Sequence, residues 1–80
     1  RFLHLFEKQF LQVLVFKTNI RYKKQLNAIQ THIASQPEIV KWNVDLKDCD
    51  KVLRIEAYNL QPIKVEKMIH QLGYICEELK

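Results

Sequence analysis

The sequence has one glycine and two prolines in 80 residues, too few for a flexible linker or a disordered segment. Its longest apolar run is far shorter than the ~20 residues that a membrane-spanning helix needs. It also lacks a glycine-rich phosphate-binding loop, a paired-carboxylate motif and a nucleophile–base pair. These absences favour one folded, non-catalytic domain that does not enter a membrane.

Cysteine is sparse as well. Cys49 and Cys76 lie far apart, in no spacing typical of a metal site. Two scattered cysteines are typical of a reduced, intracellular protein, although sequence alone leaves a disulfide open. We therefore predict a cytoplasmic location. Cys76 is predicted to be a buried, inert thiol, whereas Cys49 lies between Asp48 and Asp50, whose carboxylates disfavour the reactive thiolate.

The formal net charge is +4, which favours acidic partners without naming one. Four cations that we call the basic cluster lie close together with no carboxylate among them: Lys17, Arg21, Lys23 and Lys24. A helix amino terminus disfavours cations by roughly 0.3–1 kcal/mol each. Their placement around the start of a predicted helix indicates a site for an anion or an acidic protein surface, with a merely solvated face as the alternative.

The hydrophobic pattern predicts four strands and two helices. The strands show continuous or alternating apolar residues, and the helices show apolar residues every three or four positions. Predicted strands are residues 11–17, 40–46, 52–58 and 74–79, and predicted helices are residues 21–35 and 62–72. Pro62 suits the first turn of the second helix, and Gly73 suits its end.

The element order βαββαβ is that of the split βαβ motif, an α+β, ferredoxin-like sandwich. Its four-stranded antiparallel sheet carries two helices on one face, and right-handed crossovers give the strand order 4-1-3-2. We assign residues 11–80 to this domain and residues 1–10 to an amino-terminal extension. Within the extension, Phe2, Phe6 and Phe10 fall near one face of a helix.

Side-chain periodicity predicts which residues fill the core. Tyr22, Leu26, Ile29 and Ile33 form the stripe of the first helix, and Val65, Met68, Ile69 and Leu72 form that of the second. In the strands, the residues predicted to point inward are Val13, Val15, Val40, Trp42, Val44, Leu46, Leu53, Ile55 and Ala57.

The other sheet face is predicted to be partly apolar, with Leu14, Phe16, Val52 and Tyr58 on its surface. Such a patch favours a cover, either the amino-terminal extension or a second subunit in a homodimer. Nucleic acid is a weaker alternative. Phe16 and Tyr58 resemble base-stacking aromatics of RNA-binding sheets, but the basic glycine-aromatic signature is missing and Glu56 would repel phosphate.

Several short motifs occur in the order and at the intervals of a known family. They are Thr18 after the first strand, Leu26 and Ile29 in the helix, Pro37-Glu38-Ile39 before the second strand, and Gly73-Tyr74 before the fourth. On these residues the segment 11–79 resembles a heavy-metal-associated domain, the small ferredoxin-like module of copper chaperones and metal pumps. The resemblance implies the same fold and a metal site in the first loop.

The first loop departs from that family at its functional residues. The family carries Met-Thr-Cys-x-x-Cys, whereas this chain has Lys17-Thr18-Asn19-Ile20-Arg21-Tyr22. Thr18 is retained, Asn19 and Tyr22 stand at the thiolate positions, and Lys17 stands at the methionine position. Copper and zinc need thiolate or imidazole ligands at about 2–2.3 Å, and an amide oxygen and a phenol are poor substitutes. We predict no cofactor in this loop.

Two other groups of residues carry potential metal-ligand atoms. Copper or zinc with atypical ligands would draw on Cys49, Cys76 or one of the histidines, His4, His32 and His70, which share no local motif. Asp45, Asp48 and Asp50 are instead predicted to form a solvated turn, because the glycine and terminal glutamate of a calcium loop are absent.

The sequence thus leaves three functional classes open. The favoured class is an interaction or regulatory module with a degenerate metal site, and the second is a metal-binding or transport protein with atypical ligands. The third is a nucleic-acid binder that uses the open sheet face.

Overall fold

The computed structural model describes residues 11–79, and the predicted extension with Phe2, His4, Phe6 and Phe10 lies outside the described residues. Six elements follow one another along the chain. They are β1 (Leu11–Thr18), α1 (Lys23–Ala34), β2 (Ile39–Val44), β3 (Leu53–Tyr58), α2 (Pro62–Gln71) and β4 (Cys76–Glu78). The predicted order βαββαβ is confirmed. None of the helices in this part of the chain is long and apolar enough to cross a membrane.

The four strands form one sheet in the order β2-β3-β1-β4, which is the predicted order 4-1-3-2 counted from the other edge. All three neighbouring pairs are antiparallel. β1 and β3 are therefore central strands, and β2 and β4 are edge strands.

The hydrophobic core lies between the sheet and the two helices. Its buried members are Leu14, Phe16, Ile20, Ile29, Ile33, Leu53, Ile55, Ala57, Leu60, Val65, Ile69 and Cys76. Each large side chain removed from water in this way stabilises the fold by about 1.5–3 kcal/mol. Ile20 and Leu60 were not predicted as core residues, because each follows a strand and belongs to no periodic pattern.

The predicted orientation of β1 is wrong by one residue. Leu14 and Phe16 are 7% and 0% exposed, whereas Val13 is 57% exposed. The register explains the difference, because Leu14 lies opposite the inward-facing Ile55 of β3, and opposed residues share a sheet face. A homodimer surface that includes Leu14 and Phe16 is therefore excluded, and Val13 and Val15 face the open side instead.

The predicted strict alternation in β2 fails at its first residue. Val40 is 60% exposed, and the register with β3 shifts between Ile39 and Lys41. A bulge of this kind adds one residue to a strand and reverses the side-chain alternation across it. Ile39 consequently takes the inward position, while Trp42 and Val44 pack against the core as predicted.

Helix α1 begins two residues later than predicted, and Tyr22 is not part of its buried stripe. Tyr22 is the N-cap residue and is 59% exposed. The side-chain oxygen Oε1 of Gln25 accepts hydrogen bonds from the backbone N–H groups of Arg21 at 2.8 Å and Tyr22 at 2.9 Å. This arrangement satisfies amides that would otherwise be unpaired at the start of a helix, and Ile20 fills the core in place of Tyr22.

The end of α2 matches the prediction at Gly73. Gly73 has φ +93°, a conformation that glycine adopts without the steric penalty of a side chain. Its N–H donates to the carbonyl of His70 at 2.9 Å, and the N–H of Tyr74 donates to that of Ile69 at 3.3 Å. These bonds close the helix and turn the chain into β4, which is shorter than the predicted strand.

Candidate interaction surface at the loop end of the sheet

Three chain segments meet at one end of the sheet, which we call the loop end: residues 19–22, residues 45–52 and residues 72–75. Thr18 joins the first two segments. Its N–H donates to the carbonyl of Asp50 at 3.0 Å, and its Oγ1 donates to the carbonyl of Lys51 at 2.5 Å. Thr18 is 6% exposed, so the residue retained from the family motif is a buried link between the first loop and the hairpin.

Asn19 joins the first loop to the corner before β4. Its Oδ1 accepts a hydrogen bond from the N–H of Ile75 at 2.9 Å. Together with the bonds of Thr18, this contact holds the three segments together. The loop is closed by hydrogen bonds between its own side chains and neighbouring backbone.

The residues at the family's thiolate positions do not fit copper or zinc. The amide oxygen of Asn19 already accepts a hydrogen bond from Ile75, and Tyr22 is an exposed N-cap residue. Both side chains offer hard oxygen atoms, whereas Cu(I) selects thiolate and thioether ligands.

The two cysteines are unpaired and differ in environment. Cys76 is 1% exposed, in agreement with its predicted burial, and Cys49 is exposed in the hairpin. Burial, together with the nearby carboxylates of Glu66 and Glu77, raises the pKa of the Cys76 thiol from 9.0 to about 12. Cys76 is thus a neutral thiol at physiological pH, which disfavours both nucleophilic chemistry and metal ligation.

The hairpin between β2 and β3 holds three acidic side chains around Cys49. A ligand atom of Asp48, of Cys49 and of Asp50 all lie within 4.8 Å of one another. However, Oδ1 of Asp48 accepts the N–H of Asp50 at 2.8 Å, and Oδ1 of Asp45 accepts the N–H of Lys47 at 3.0 Å. These are the local bonds by which aspartate stabilises turns, so the carboxylates of Asp45 and Asp48 have a structural role in the hairpin.

The basic cluster is exposed, but its members occupy different elements. Lys23 and Lys24 lie in the first turn of α1, which contains no acidic residue. Arg21 precedes the helix, so its predicted place in that turn is wrong. Lys17 lies on β1 and not in the loop, directly opposite Glu77 of β4. Glu77 is therefore a neighbour of the cluster, although the sequence separates them widely.

The charges of the basic cluster are not neutralised by ion pairs within residues 11–79. The one ion pair formed by these residues joins Nζ of Lys64 to Oε2 of Glu38 at 3.6 Å. The cluster therefore offers its positive charge to solvent or to a partner. His32 and His70 are exposed near the ends of α1 and α2.

A groove between α1 and β2 was not predicted. Its apolar floor is formed by Leu26, Trp42, Val44 and Leu46, all half-buried. The sequence does contain a signal for it, because large apolar side chains alternate along β2, which the predicted strand order places at an edge of the sheet. We call this feature the edge groove.

Two solved structures share the fold. The apo form of the heavy-metal-associated domain of a copper chaperone for superoxide dismutase has a TM-score of 0.72 and 14% identity, covering 89% of this chain and 69% of that chain. The copper(I)-loaded first domain of the human copper chaperone for superoxide dismutase has a TM-score of 0.71 and 14% identity, covering 86% of this chain and 93% of that chain.

The comparisons show a shared fold. A scan against protein-family models gives no match, and a search of the curated proteins returns none. The predicted heavy-metal-associated, ferredoxin-like fold is confirmed by the two structures.

Proposed function

We propose that this chain is a small non-catalytic interaction module. It keeps the scaffold of a heavy-metal-associated domain, lacks a metal site in its first loop, and binds an acidic protein surface or another anion through the basic cluster at the loop end. The observation that carries the proposal is the hydrogen bond from the N–H of Ile75 to Oδ1 of Asn19 at 2.9 Å, since it gives a thiolate position of the family a structural role.

The hydrogen bonds of the first loop argue against metal binding by its side chains. A metal ligand must present a lone pair toward the ion, and Asn19 already uses an amide oxygen lone pair to hold the corner before β4. Thr18 likewise holds the hairpin through the carbonyl of Lys51. These hydrogen bonds hold the loop against its neighbouring segments and do not involve an ion.

Electrostatics support an acidic partner. Arg21, Lys23 and Lys24 are exposed at the start of α1, where the helix dipole disfavours cations by about 0.3–1 kcal/mol each. An anion bound there gains from the dipole and from the side chains together. The exposed, unpaired thiol of Cys49 further supports a reducing compartment such as the cytoplasm.

Charge reversal tests the proposal. Arg21→Glu combined with Lys24→Glu should slow association with a partner captured from the native cell, and binding of the unmodified chain should weaken steeply with salt. Lys67→Glu is a suitable control, because Lys67 is exposed on α2 beside Ser35 and Gln36 at the carboxyl end of α1. Glu77→Lys is unsuitable, because Glu77 lies opposite Lys17.

The affinity of each variant would be measured against the same purified partner at low and physiological salt. The proposal requires a loss for the Arg21 and Lys24 reversals that is larger than the loss for the Lys67 reversal. Equal affinities with the same salt dependence would mean that the basic cluster is only a solvated face.

A second candidate function is metal binding with atypical ligands, supported by the convergence of Asp48, Cys49 and Asp50 within 4.8 Å at the same end of the molecule. Titration with a Cu(I) or Zn(II) competitor probe discriminates between the two. Tight binding that disappears in Cys49→Ser would favour this candidate over the interaction module.

A further inference from the structure

The edge groove combines apolar surface with the free edge of a sheet. It has a volume of about 610 Å³ and is lined on the sheet side by Trp42, Val44 and Leu46. β2 pairs with β3 alone among the described strands. An edge strand exposes backbone N–H and C=O groups that can pair with another chain.

The ladder between β2 and β3 fixes which backbone groups point outward. The N–H of Asp45 donates to the carbonyl of Val52 at 2.9 Å, so the backbone of Asp45 is directed toward β3. Successive residues of an antiparallel strand direct their backbone groups to opposite sides. The backbone groups of Trp42 and Val44 are consequently directed toward the free edge.

The same two residues supply apolar side chains to the groove. Trp42 and Val44 are half-buried and pack against the core on the helix side of the sheet. A strand added at this edge would therefore pair with their backbone and place alternate side chains against Trp42, Leu26 and Leu46. This combination of main-chain pairing and side-chain pockets is the usual basis of peptide recognition by strand addition.

Charge restricts the kind of strand that fits. Lys23 and Lys47 are exposed at the rim of the groove. The helix wall contributes the amides of Asn27 and Gln30, and α1 contains no acidic residue along its length. Asp45, the one carboxylate at the rim, already accepts the N–H of Lys47. The groove thus complements an acidic segment better than a basic one.

We propose that an extended acidic segment of a partner protein binds along the free edge of β2 as a fifth strand. Its backbone pairs with Trp42 and Val44, an apolar side chain packs against Leu26 and Leu46, and its carboxylates lie near Lys23 and Lys47. The inference rests on the proposed function and specifies the class of its partner. The two surfaces are connected, because Lys23 belongs to both the basic cluster and the edge groove.

The test uses the full chain and synthetic peptides of about eight residues, the length of an ordinary strand. The acidic peptide alternates aspartate with valine and phenylalanine. One control peptide carries lysine in place of aspartate, and another carries N-methyl groups on alternate amides, which removes strand pairing. Trp42 is the only tryptophan, so its fluorescence reports on the groove directly, and hydrogen exchange reports on the amides of Trp42 and Val44.

The acidic peptide should shift the Trp42 emission and slow exchange of both amides, and each control peptide should bind at least about tenfold more weakly. Lys47→Glu should weaken binding of the acidic peptide and strengthen that of the lysine peptide, because it reverses a rim charge. Lys67→Glu changes the net charge equally but lies outside the groove, and it should leave binding unchanged.

Two results would overturn the inference. One is an unchanged Trp42 emission with millimolar acidic peptide, and the other is protection of the open-face residues Val13 and Val15 in place of Trp42 and Val44. If the Arg21 and Lys24 reversals still abolish partner binding in that case, the proposed function stands and only the mode of docking is wrong. If the acidic peptide does not bind the edge groove and the reversals in the basic cluster do not weaken partner binding, both proposals fail.

Discussion

Asn19 connects the first loop to the corner before β4 through a single side chain. Its amide accepts the N–H of Ile75 at 2.9 Å, a bond between parts of the chain that are far apart in sequence. A neutral hydrogen bond of this kind contributes about 0.5–1.5 kcal/mol to stability. The contribution is small, but the bond does not involve an ion.

The first prediction at the residue scale is that the first loop does not bind Cu(I) or Zn(II) tightly, because Asn19 and Tyr22 offer no thiolate. It is checked by titration with a competitor probe. Asn19→Cys combined with Tyr22→Cys restores the family pattern and should gain affinity. Near-stoichiometric copper in the unmodified chain that is lost in Asn19→Ala or Tyr22→Phe would contradict the prediction.

Cys76 gives a prediction for alkaline pH. Its folded pKa of about 12 exceeds the ordinary 9.0, so between these values the unfolded chain loses a proton that the folded chain keeps. The free energy of unfolding should therefore fall as pH rises above about 9, by up to about 1.4 kcal/mol per pH unit from this group.

Urea unfolding at a series of pH values measures this effect. Cys76→Ala should cost on the order of 1 kcal/mol at neutral pH as a small core deletion, but its stability should fall less steeply above pH ~9. Equal slopes for the two proteins would mean that Cys76 does not titrate differently in the folded state.

At the scale of the helices, the amino terminus of α1 is electrostatically unfavourable in the isolated molecule. Lys24 lies in its first turn, where no acidic residue is present. Lys24→Glu should therefore raise the free energy of unfolding by about 0.3–1 kcal/mol. Lys67→Glu, in the middle of α2, is the matched control, and thermal melting at low salt compares the two. A stabilised Lys67→Glu with an unchanged Lys24→Glu would argue against the dipole.

The turn between α2 and β4 depends on glycine at one position. A side chain at Gly73 would meet no atom within 4 Å, but the residue has φ +93°, which side-chain-bearing residues rarely adopt. Gly73→Ala should destabilise the domain by roughly 1–2 kcal/mol through backbone strain alone. Gln71→Ala, at an exposed helix position, should change little. Chemical denaturation measures both, and a neutral Gly73→Ala would show that the turn adopts another conformation.

At the scale of the whole molecule, stability comes from the core between the sheet and the helices and not from a cross-link. Cys49 is exposed and Cys76 is buried, and neither is paired. Reducing agent should leave the melting temperature unchanged, and Cys49→Ser should cost almost nothing. A loss of structure on reduction, measured by circular dichroism, would show that a disulfide holds the domain.

The open face of the sheet differs from the predicted one. Leu11 and Val13 are 47% and 57% exposed on the central strand β1, opposite Tyr58 and Glu56 of β3. A homodimer or a cover by the amino-terminal extension remains a prediction, now on Leu11 and Val13 together with Val52 and Tyr58.

Local sequence determined the elements and their order. Pro62, Gly73 and the alternation from Trp42 to Leu46 act through steric preferences and periodicities that operate within a few residues, so they could be recognised without the fold. The topology followed from these elements and from the handedness of crossovers. The lack of thiolates at positions 19 and 22 was also visible in the sequence, because it depends only on which residues, Asn19 and Tyr22, occupy these positions.

Tertiary structure decided which side chains of the strands face the core and which residues lie side by side on neighbouring strands. β1 is almost continuously apolar, so no alternation marked its buried side, and only pairing with β3 placed Leu14 and Phe16 inward. The bulge at Val40 and the position of Glu77 beside Lys17 are likewise products of register. Register depends on the simultaneous packing of distant segments, which is the physical reason that the open sheet face and the edge groove could be assigned only from the folded chain.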